Sequence, residues 1–483
     1  MAISTTIKSI QDIMRRDAGV DGDAQRISQL VWMIFLKVFD DHEAQKELLE
    51  DNYKSPIPAR FRWRSWARDA EGITGEALLD FINNDLFKTL KELPATGKNA
   101  TLAGVVRGVF EDAFNYMKSG TLVRQVVNKL NEIDFNKKAD RHEFGDLYEK
   151  LLADLQSAGN AGEFYTPRAV TQFMVDQVDP KLGETVLDPA CGTGGFLTCA
   201  IEHIRTKYVK DAKGEETLQR SIHGVEKKPL PHLLCVTNMM FHRIEAPSNI
   251  RHGNTLARPL RDYGPKDRVD VIVTNPPFGG MEEDGIENNF PATFRTRETA
   301  DLFLVLIMTR LKPGGRAALV LPDGTLFGEG IKTRIKEKLL EECNLHTVVR
   351  LPKGVFAPYT SIKTNLLFFT KGEPTKTVWF YEHPYPAGAK SYSKTKPLRI
   401  EEFGVEKKWW GKRKETDQAW KVSIVDIKAR GYNLDIKNPK AVDDEPGDVD
   451  ELLRQYRAAS MAATETRDQL RDLLARALVG GRE

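Results

Sequence analysis

Cysteine is scarce in this chain. The 483 residues contain 4 of them, Cys191, Cys199, Cys235 and Cys343, at spacings that fit neither a disulfide framework nor a zinc motif. The 9 histidines form no HExxH or comparable cluster, so no metal is expected. Long apolar runs are missing too. The densest, Val31 to Leu36, falls far short of the ~18–20 residues of a membrane span. The N-terminus shows no signal-peptide pattern, and with the cysteines read as reduced thiols a cytoplasmic protein is expected. An excess of one charge is also lacking. With 71 basic and 69 acidic side chains the net charge is +2, unlike the strongly basic domain of a stand-alone DNA-binding protein. Either basic residues cluster locally or a partner supplies most of any nucleic-acid contact. The remaining balance, 41% hydrophobic and 29% charged residues, is that of a soluble globular protein of two or three domains.

The most informative segment present is Asn275-Pro276-Pro277-Phe278, directly after the apolar run Val269 to Thr274. The prolines fix φ and remove two backbone donors, so their carbonyls stay free on a stiff turn at the exit of a buried strand. Asn275 adds a side-chain acceptor and Phe278 a flat apolar face. Such a set can grip a planar amino group above a ring, which suits a flipped-out base or another amide-like group. Alone, the tetrapeptide reads equally as a proline-stiffened strand end. It is not alone. Glu184 to Leu187 reads as a short strand ending in Asp188, followed by Pro189-Ala190-Cys191-Gly192-Thr193-Gly194-Gly195 and a helical pattern through Ile204. Glycines there admit a ligand close to the backbone at a strand's carboxyl end. The loop lacks the Lys-Ser/Thr of a P-loop, and the carboxylate of Asp188 suits a cationic ligand group. A second strand, Ser221 to Val225, ends in Glu226, an acceptor for two ribose hydroxyls. It lies further along than the ~20 residues usual in dinucleotide folds, an excess assigned to a surface insertion at 210–216. Asn254, in His252-Gly253-Asn254-Thr255-Leu256, is placed to read an adenine edge.

Asp188-Pro189-Ala190-Cys191-Gly192-Thr193-Gly194-Gly195-Phe196 with Asn275-Pro276-Pro277-Phe278 resembles the S-adenosylmethionine-dependent DNA adenine-N6 methyltransferases. The resemblance is closer to one branch, the modification (methylation) subunits of type I restriction-modification systems. Gly162-Glu163-Phe164-Tyr165-Thr166-Pro167-Arg168, Val320-Leu321-Pro322-Asp323-Gly324 and Leu351-Pro352-Lys353-Gly354-Val355-Phe356 are typical of that branch. The likeness runs over about residues 1–440. It implies a class I methyltransferase fold, a Rossmann-like doubly wound α/β sheet, with S-adenosyl-L-methionine as cofactor. It implies cofactor contacts at Glu163, Phe164, Tyr165, Thr166, Pro167, Arg168, Thr193, Gly194, Gly195 and Glu226, with Asp188 and Gly192 added, and Asn254 joins them from its position. Asn275 and the Pro276 carbonyl are implied acceptors for the two N6 hydrogens, Pro277 stiffens the turn, and Phe278 stacks on the extruded adenine. Such catalysis is mainly positioning and electrostatics.

Residues 1–150 read as a helical N-terminal domain, 151–440 as the catalytic domain and 448–480 as a C-terminal assembly helix. Ile27, Leu30, Val31, Ile34, Phe35 and Val38 form one helical stripe. Arg60-Phe61-Arg62-Trp63-Arg64 alternates like a strand with guanidiniums on one face, either solvated or touching phosphates. Apolar runs at Val186, Ile222, 271–273, 317–321, 348–351 and 366–369 predict strands, with helices over 301–311 and 331–342. The stretch 279–299 is long and polar, and reads as a base-closing lid or an ordinary insertion. Lys407 to Lys414, basic with Trp409 and Trp410, reads as a DNA-backbone track or a solvated loop with partly packed tryptophans. Leu452, Tyr456, Ala459, Ala463, Thr466, Leu470, Leu473 and Ala477 follow a heptad-like spacing, packing on the catalytic domain or docking on another subunit.

Little chain follows Lys371 to hold a target-recognition domain. Double-stranded DNA is therefore expected to be selected by a separate specificity subunit, bound by two copies of this chain and joined on occasion by a restriction subunit. A protein glutamine-N5 methyltransferase and a non-catalytic DNA-bound scaffold are the alternatives.

Overall fold

The computed structural model describes residues 3–94, 100–135, 148, 166–357, 360, 362–386, 388–389, 391–393 and 395–440, with 453, 456–457, 460–461 and 463–471 in the tail. Glu163, Phe164 and Tyr165 lie outside the described residues. Two compact units result, Met1–Ile436 and Lys437–Glu483.

The first unit begins with helices. Asp23–Leu49 is a 27-residue helix buried along nearly its whole girth between Gln29 and Asp40. The expected stripe is thus only one side of a central helix. Trp32 meets Phe87 and Phe110 edge-on, at centroid distances of 5.0 and 6.4 Å, so neighbours surround the helix with aromatic surface. The Asp17 carboxylate accepts from the amides of Gly19, Lys118 and Ser119, and Ser119 caps the helix Gly120–Leu130.

The Arg60–Arg64 alternation does not make a strand. It folds as a 3-10 turn, Ala59–Phe61, and a short helix, Trp63–Trp66. Each guanidinium finds a carboxylate of the same domain: Arg60 on Asp85, Arg62 on Glu47, Arg64 on Asp40 and Glu47. Trp63 and Trp66 are buried. The alternation was produced by packing needs on a helix, with ion partners supplied from elsewhere in sequence.

Nine strands form one sheet in the order β3-β2-β1-β4-β5-β7-β6-β8-β9. They are β1 Val186–Asp188, β2 Ile222–Glu226, β3 Ile250–His252, β4 Val269–Thr274, β5 Leu311–Pro322, β6 Cys343–Leu351, β7 Thr364–Lys371, β8 Thr377–Glu382 and β9 Ala419–Ser423. β1 runs parallel to both β2 and β4, while β7 is antiparallel to β5 and β6. Hydrophobic clusters cover both faces, which is why β4 reads as an almost unbroken apolar run. The chain moves outward from β1 through β2 to β3, then returns to β4 on the other side of β1. That reversal opens a crevice at the carboxyl ends of β1 and β4, where doubly wound sheets bind ligands.

All six expected strand runs and both helices form. The stretch 210–216 is not a loose insertion: Asp211 caps a helix, Ala212–Ser221, that buries Leu218. The 407–414 stretch belongs to the helix Gly404–Gly411 and its exit. Trp409 packs on Trp379 and Tyr381, Trp410 on Phe368, and Arg413 lies over both indoles. Lys407 pairs with Asp176, while Lys408, Lys412 and Lys414 stay exposed.

In the second unit residues 437–440 are coil and turn, the described residues from Leu453 onward are helical, and Leu453, Tyr456, Met461 and Leu470 are exposed. Of the heptad-like positions, Leu452, Ala459, Leu473 and Ala477 lie outside the described residues. Among the described residues, no helix is long and apolar enough to cross a membrane.

Candidate active site

β1 delivers Asp188 to the crevice, and β4, its parallel neighbour, delivers Asn275 one residue beyond its end. A small cavity of about 60 Å³ lies between them, lined by Thr166, Asp188, Gly192, Thr193, Gly195 and Asn275 among others. Sequence positions almost ninety residues apart are thereby brought onto one pocket wall.

The glycine loop turns through two left-handed residues, Gly192 (φ 52°) and Gly194 (φ 87°). At Gly194 a Cβ would come within 2.9 Å of Cys235 Sγ and 3.0 Å of Met239 Cε, so the position is closed to larger residues. At Gly192 nothing lies within 4 Å, which leaves open space on the ligand side. Glu226 braces the loop: its carboxylate accepts from the Gly192 amide at 2.8 Å and from the Lys228 amide at 2.8 Å. The Thr193 carbonyl accepts from Asn238 Nδ2. All four cysteines are buried and free of disulfides. The Cys191 thiol, hydrogen-bonded to Cys235 and buried, is held well above its ordinary pKa and serves as packing rather than as a nucleophile.

Asp188 is 1% exposed and accepts from the Ala190 amide at 3.1 Å. Burial, aided by the neighbouring charge of Glu226, pushes its carboxyl up to about 7. A carboxylate this poorly solvated gains most from a cationic partner.

Asn275 donates from Nδ2 to Thr166 Oγ1 at 2.8 Å. Its Oδ1 is buried and has no hydrogen-bond partner among the described residues. An orphaned buried acceptor costs about 1–3 kcal/mol, and its setting beside Asp188 and the glycine loop marks a place kept for a donor. Pro276 is buried and Pro277 exposed. Phe278 is 7% exposed, with Phe356 edge-on at 6.5 Å. Its ring is therefore packed here rather than offered as an open stacking face.

Other expected residues are differently employed. Pro167 precedes the helix Arg168–Val178, and Arg168 reaches Thr198 Oγ1 and Glu202 on the helix Gly195–Lys207, both at 2.7 Å. Asn254 caps its own turn through the Leu256 amide, and its Nδ2 donates to Glu282 Oε2 at 3.1 Å. Glu282 was not legible in advance: it stands in a polar stretch without periodicity and is 8% exposed.

A doubly wound sheet with an acid closing β1, a glycine loop and an amide after β4 defines a class I methyltransferase. Comparison with known proteins narrows this. The N-6 DNA Methylase family matches residues 139–447, and the HsdM N-terminal domain matches residues 3–130. The Type I restriction enzyme EcoEI methylase subunit of Escherichia coli is 63% identical over 100% of this chain and 99% of its own length. The crystal structure of a modification subunit from Vibrio vulnificus YJ016, ascribed to a type I restriction enzyme, superposes with a TM-score of 0.83 at 46% identity, covering 91% of this chain and 97% of that one. A chain solved to explain complex assembly and conformational transition of the type I R-M system gives 0.81 at 36% identity, over 98% of both chains. The chain belongs to the methylase subunits of type I restriction enzymes, and is an adenine-N6 DNA methyltransferase. The match of the helical N-terminal part decides against the glutamine methyltransferase alternative, and the match of the catalytic part to DNA methylases decides against the scaffold.

Proposed function

We propose that this chain methylates N6 of an adenine flipped out of double-stranded DNA, using S-adenosyl-L-methionine held between the glycine loop and Asp188. The observation that carries the reading is the Asn275 Oδ1, buried without a partner among the described residues, in the cavity shared with Asp188 and Gly192. The residues fit the donor. The open space at Gly192 accepts close backbone approach, and the buried carboxylate of Asp188 suits a cationic group. Thr193, Gly194, Gly195, Glu226 and Asn254 complete the wall on this reading, with Glu163, Phe164, Tyr165, Thr166, Pro167 and Arg168 proposed as further donor contacts; Arg168 is itself held by Thr198 and Glu202. When bound, the donor supplies an electrophilic methyl carbon on a sulfonium.

The chain's own residues do the rest. Thr166 orients the Asn275 amide through Nδ2, leaving Oδ1 free to accept one N6 hydrogen while the Pro276 carbonyl accepts the other. Accepting hydrogen bonds from both N6–H groups draws N6 out of conjugation and exposes its lone pair, so no strong base is needed before methyl transfer, and N6 then releases one proton. Phe278 stacks on the base once the ring is uncovered from its present packing.

The four free, buried cysteines fit a cytoplasmic location, and the near-neutral charge of the chain and the complex assembly named for a related structure support work within a multisubunit complex. In it a separate specificity subunit chooses the sequence, two copies of this chain methylate, and a restriction subunit can join. The helical N-terminal domain (1–150), the catalytic domain (151–440) and the tail helix (448–480) divide this work, the tail docking on other subunits. Incubation with labelled S-adenosylmethionine and DNA tests this. Label should enter DNA adenine with the specificity subunit present, and removal of residues after Gly447 should abolish assembly but not cofactor binding. Label in protein, or an intact complex from the truncated chain, overturns the respective part.

A further inference from the structure

The stretch after Phe278 crosses the rim of the sheet. Asn254 follows β3, three strands from β4, about 14 Å away at the usual ~4.8 Å spacing. Glu282 lies seven residues past Asn275, a reach of roughly 23 Å when extended, and its carboxylate does arrive at Asn254. To do so the chain passes the end of β1, where Asp188 and the glycine loop stand. Glu282 Oε2 also meets Lys227 Nζ at 3.3 Å, just past the end of β2, and Oε1 accepts from Thr299 Oγ1 at 3.4 Å. Its backbone is equally committed. The Glu282 amide donates to the Arg297 carbonyl at 2.9 Å, and its carbonyl accepts from the Arg297 guanidinium. Further on, Asn289 Nδ2 donates to the carbonyls of Leu256 and Ala257, both at 3.0 Å. The segment 279–299 is therefore anchored on the β2–β3 side of the crevice, at the turn that carries Asn254, and not over the side occupied by Asn275.

We infer that Glu282 is a positioning residue for the methyl-donor site, acting through Asn254 and Lys227 to hold the 279–299 segment across the donor's adenosine side. This rests on the proposed reading of Glu226 and Asn254 as donor contacts. The carboxylate fixes the orientation of the Asn254 amide and, together with Glu283 at 3.0 Å, offsets the Lys227 charge beside Glu226. Because the same segment continues from Asn275, donor occupancy is mechanically tied to the backbone that carries the base acceptor.

The test uses the full chain with S-adenosylhomocysteine as probe, followed by calorimetry and by tryptic cleavage at Arg295 and Arg297. Glu282→Gln keeps the shape and one acceptor but loses the charge, and Glu282→Ala loses both. Loss of hydrogen bonds of this kind to a charged group predicts about tenfold weaker binding for Gln and more for Ala. In the wild type the probe should slow cleavage, and in both variants that protection should shrink. In the assembled enzyme KM for the donor should rise while kcat at saturation changes less than about twofold, a split that a merely structural role does not produce. Variants that bind the probe within about twofold of wild type, with unaltered protection, overturn the inference while leaving the donor site intact if Glu226→Ala still abolishes binding. Protection that depends on DNA instead of the probe overturns it in favour of a base-side lid. Failure of the wild type to bind the probe removes the donor-site reading and this inference together. Should Glu282→Ala fail to fold, the isosteric Gln variant carries the same comparison.

Discussion

Replacing Asn275 with alanine separates catalysis from stability unusually well. The side chain contributes one hydrogen bond, Nδ2 to Thr166 Oγ1, worth about 1 kcal/mol net. It also carries a buried acceptor without a partner among the described residues, whose burial costs about 1–3 kcal/mol. The two nearly cancel, so Asn275→Ala should melt close to the wild type or slightly above it. Turnover should fare differently. Removing a preorganised group that acts on the reacting centre costs on the order of 10²–10³ in rate, about 2.7–4 kcal/mol. The assay is single-turnover methyl transfer to DNA by the assembled enzyme, with calorimetry of S-adenosylhomocysteine binding and a thermal melt on the same preparation. Donor affinity should hold within a few-fold, because the proposed donor wall is the glycine loop and Asp188. A variant that keeps more than about one tenth of the wild-type rate, or that loses donor binding while turning over, refutes the reasoning.

Asp188→Asn should reveal a pH-dependent penalty. The folded carboxyl lies at about 7 against an unfolded value near 3.9. Its stabilising contribution is thus complete below about pH 4 and is lost as pH rises through about 7. Denaturant melts should show the Asn variant gaining on wild type by a few kcal/mol across that interval and levelling above it; parallel pH profiles would contradict the burial argument. Gly194→Ala combines a positive φ with a contact on Cys235. It should cost about 1–3 kcal/mol in a thermal melt and weaken donor binding, whereas a neutral result would mean the loop adjusts freely. Arg64→Ala leaves Asp40, itself buried, without its guanidinium. It should destabilise the fold by about 1–3 kcal/mol without changing the salt dependence of DNA binding by the complex; a shallower slope would restore a phosphate contact.

Much of the catalytic half was legible because β1, β2, β4 and the inner strands are apolar runs buried on both faces, and their ends carry the residues with chemistry. β8 and β9 were not, since at the sheet's far edge they are only partly buried and lack the unbroken apolar run that marks the inner strands. The arginine alternation misled because Asp40, Glu47 and Asp85, which pair with those guanidiniums, are distant in sequence. At the site, residue types pointed to Asp188, Glu226 and Asn275, but their present partners could not be read. That Glu226 braces the Gly192 amide, that Asn254 is held by Glu282, and that Phe278 lies packed against Phe356 are facts of three-dimensional placement. The vacancy at Asn275 Oδ1 is of the same kind.

The most direct measurement is a structure of the assembled enzyme on its DNA site with a non-reactive donor analogue bound. The extruded adenine should place N6 about 3 Å from Asn275 Oδ1, with the analogue against Asp188 and the glycine loop. An adenine held elsewhere, or an Asn275 amide turned into the protein away from both ligands, would contradict the account.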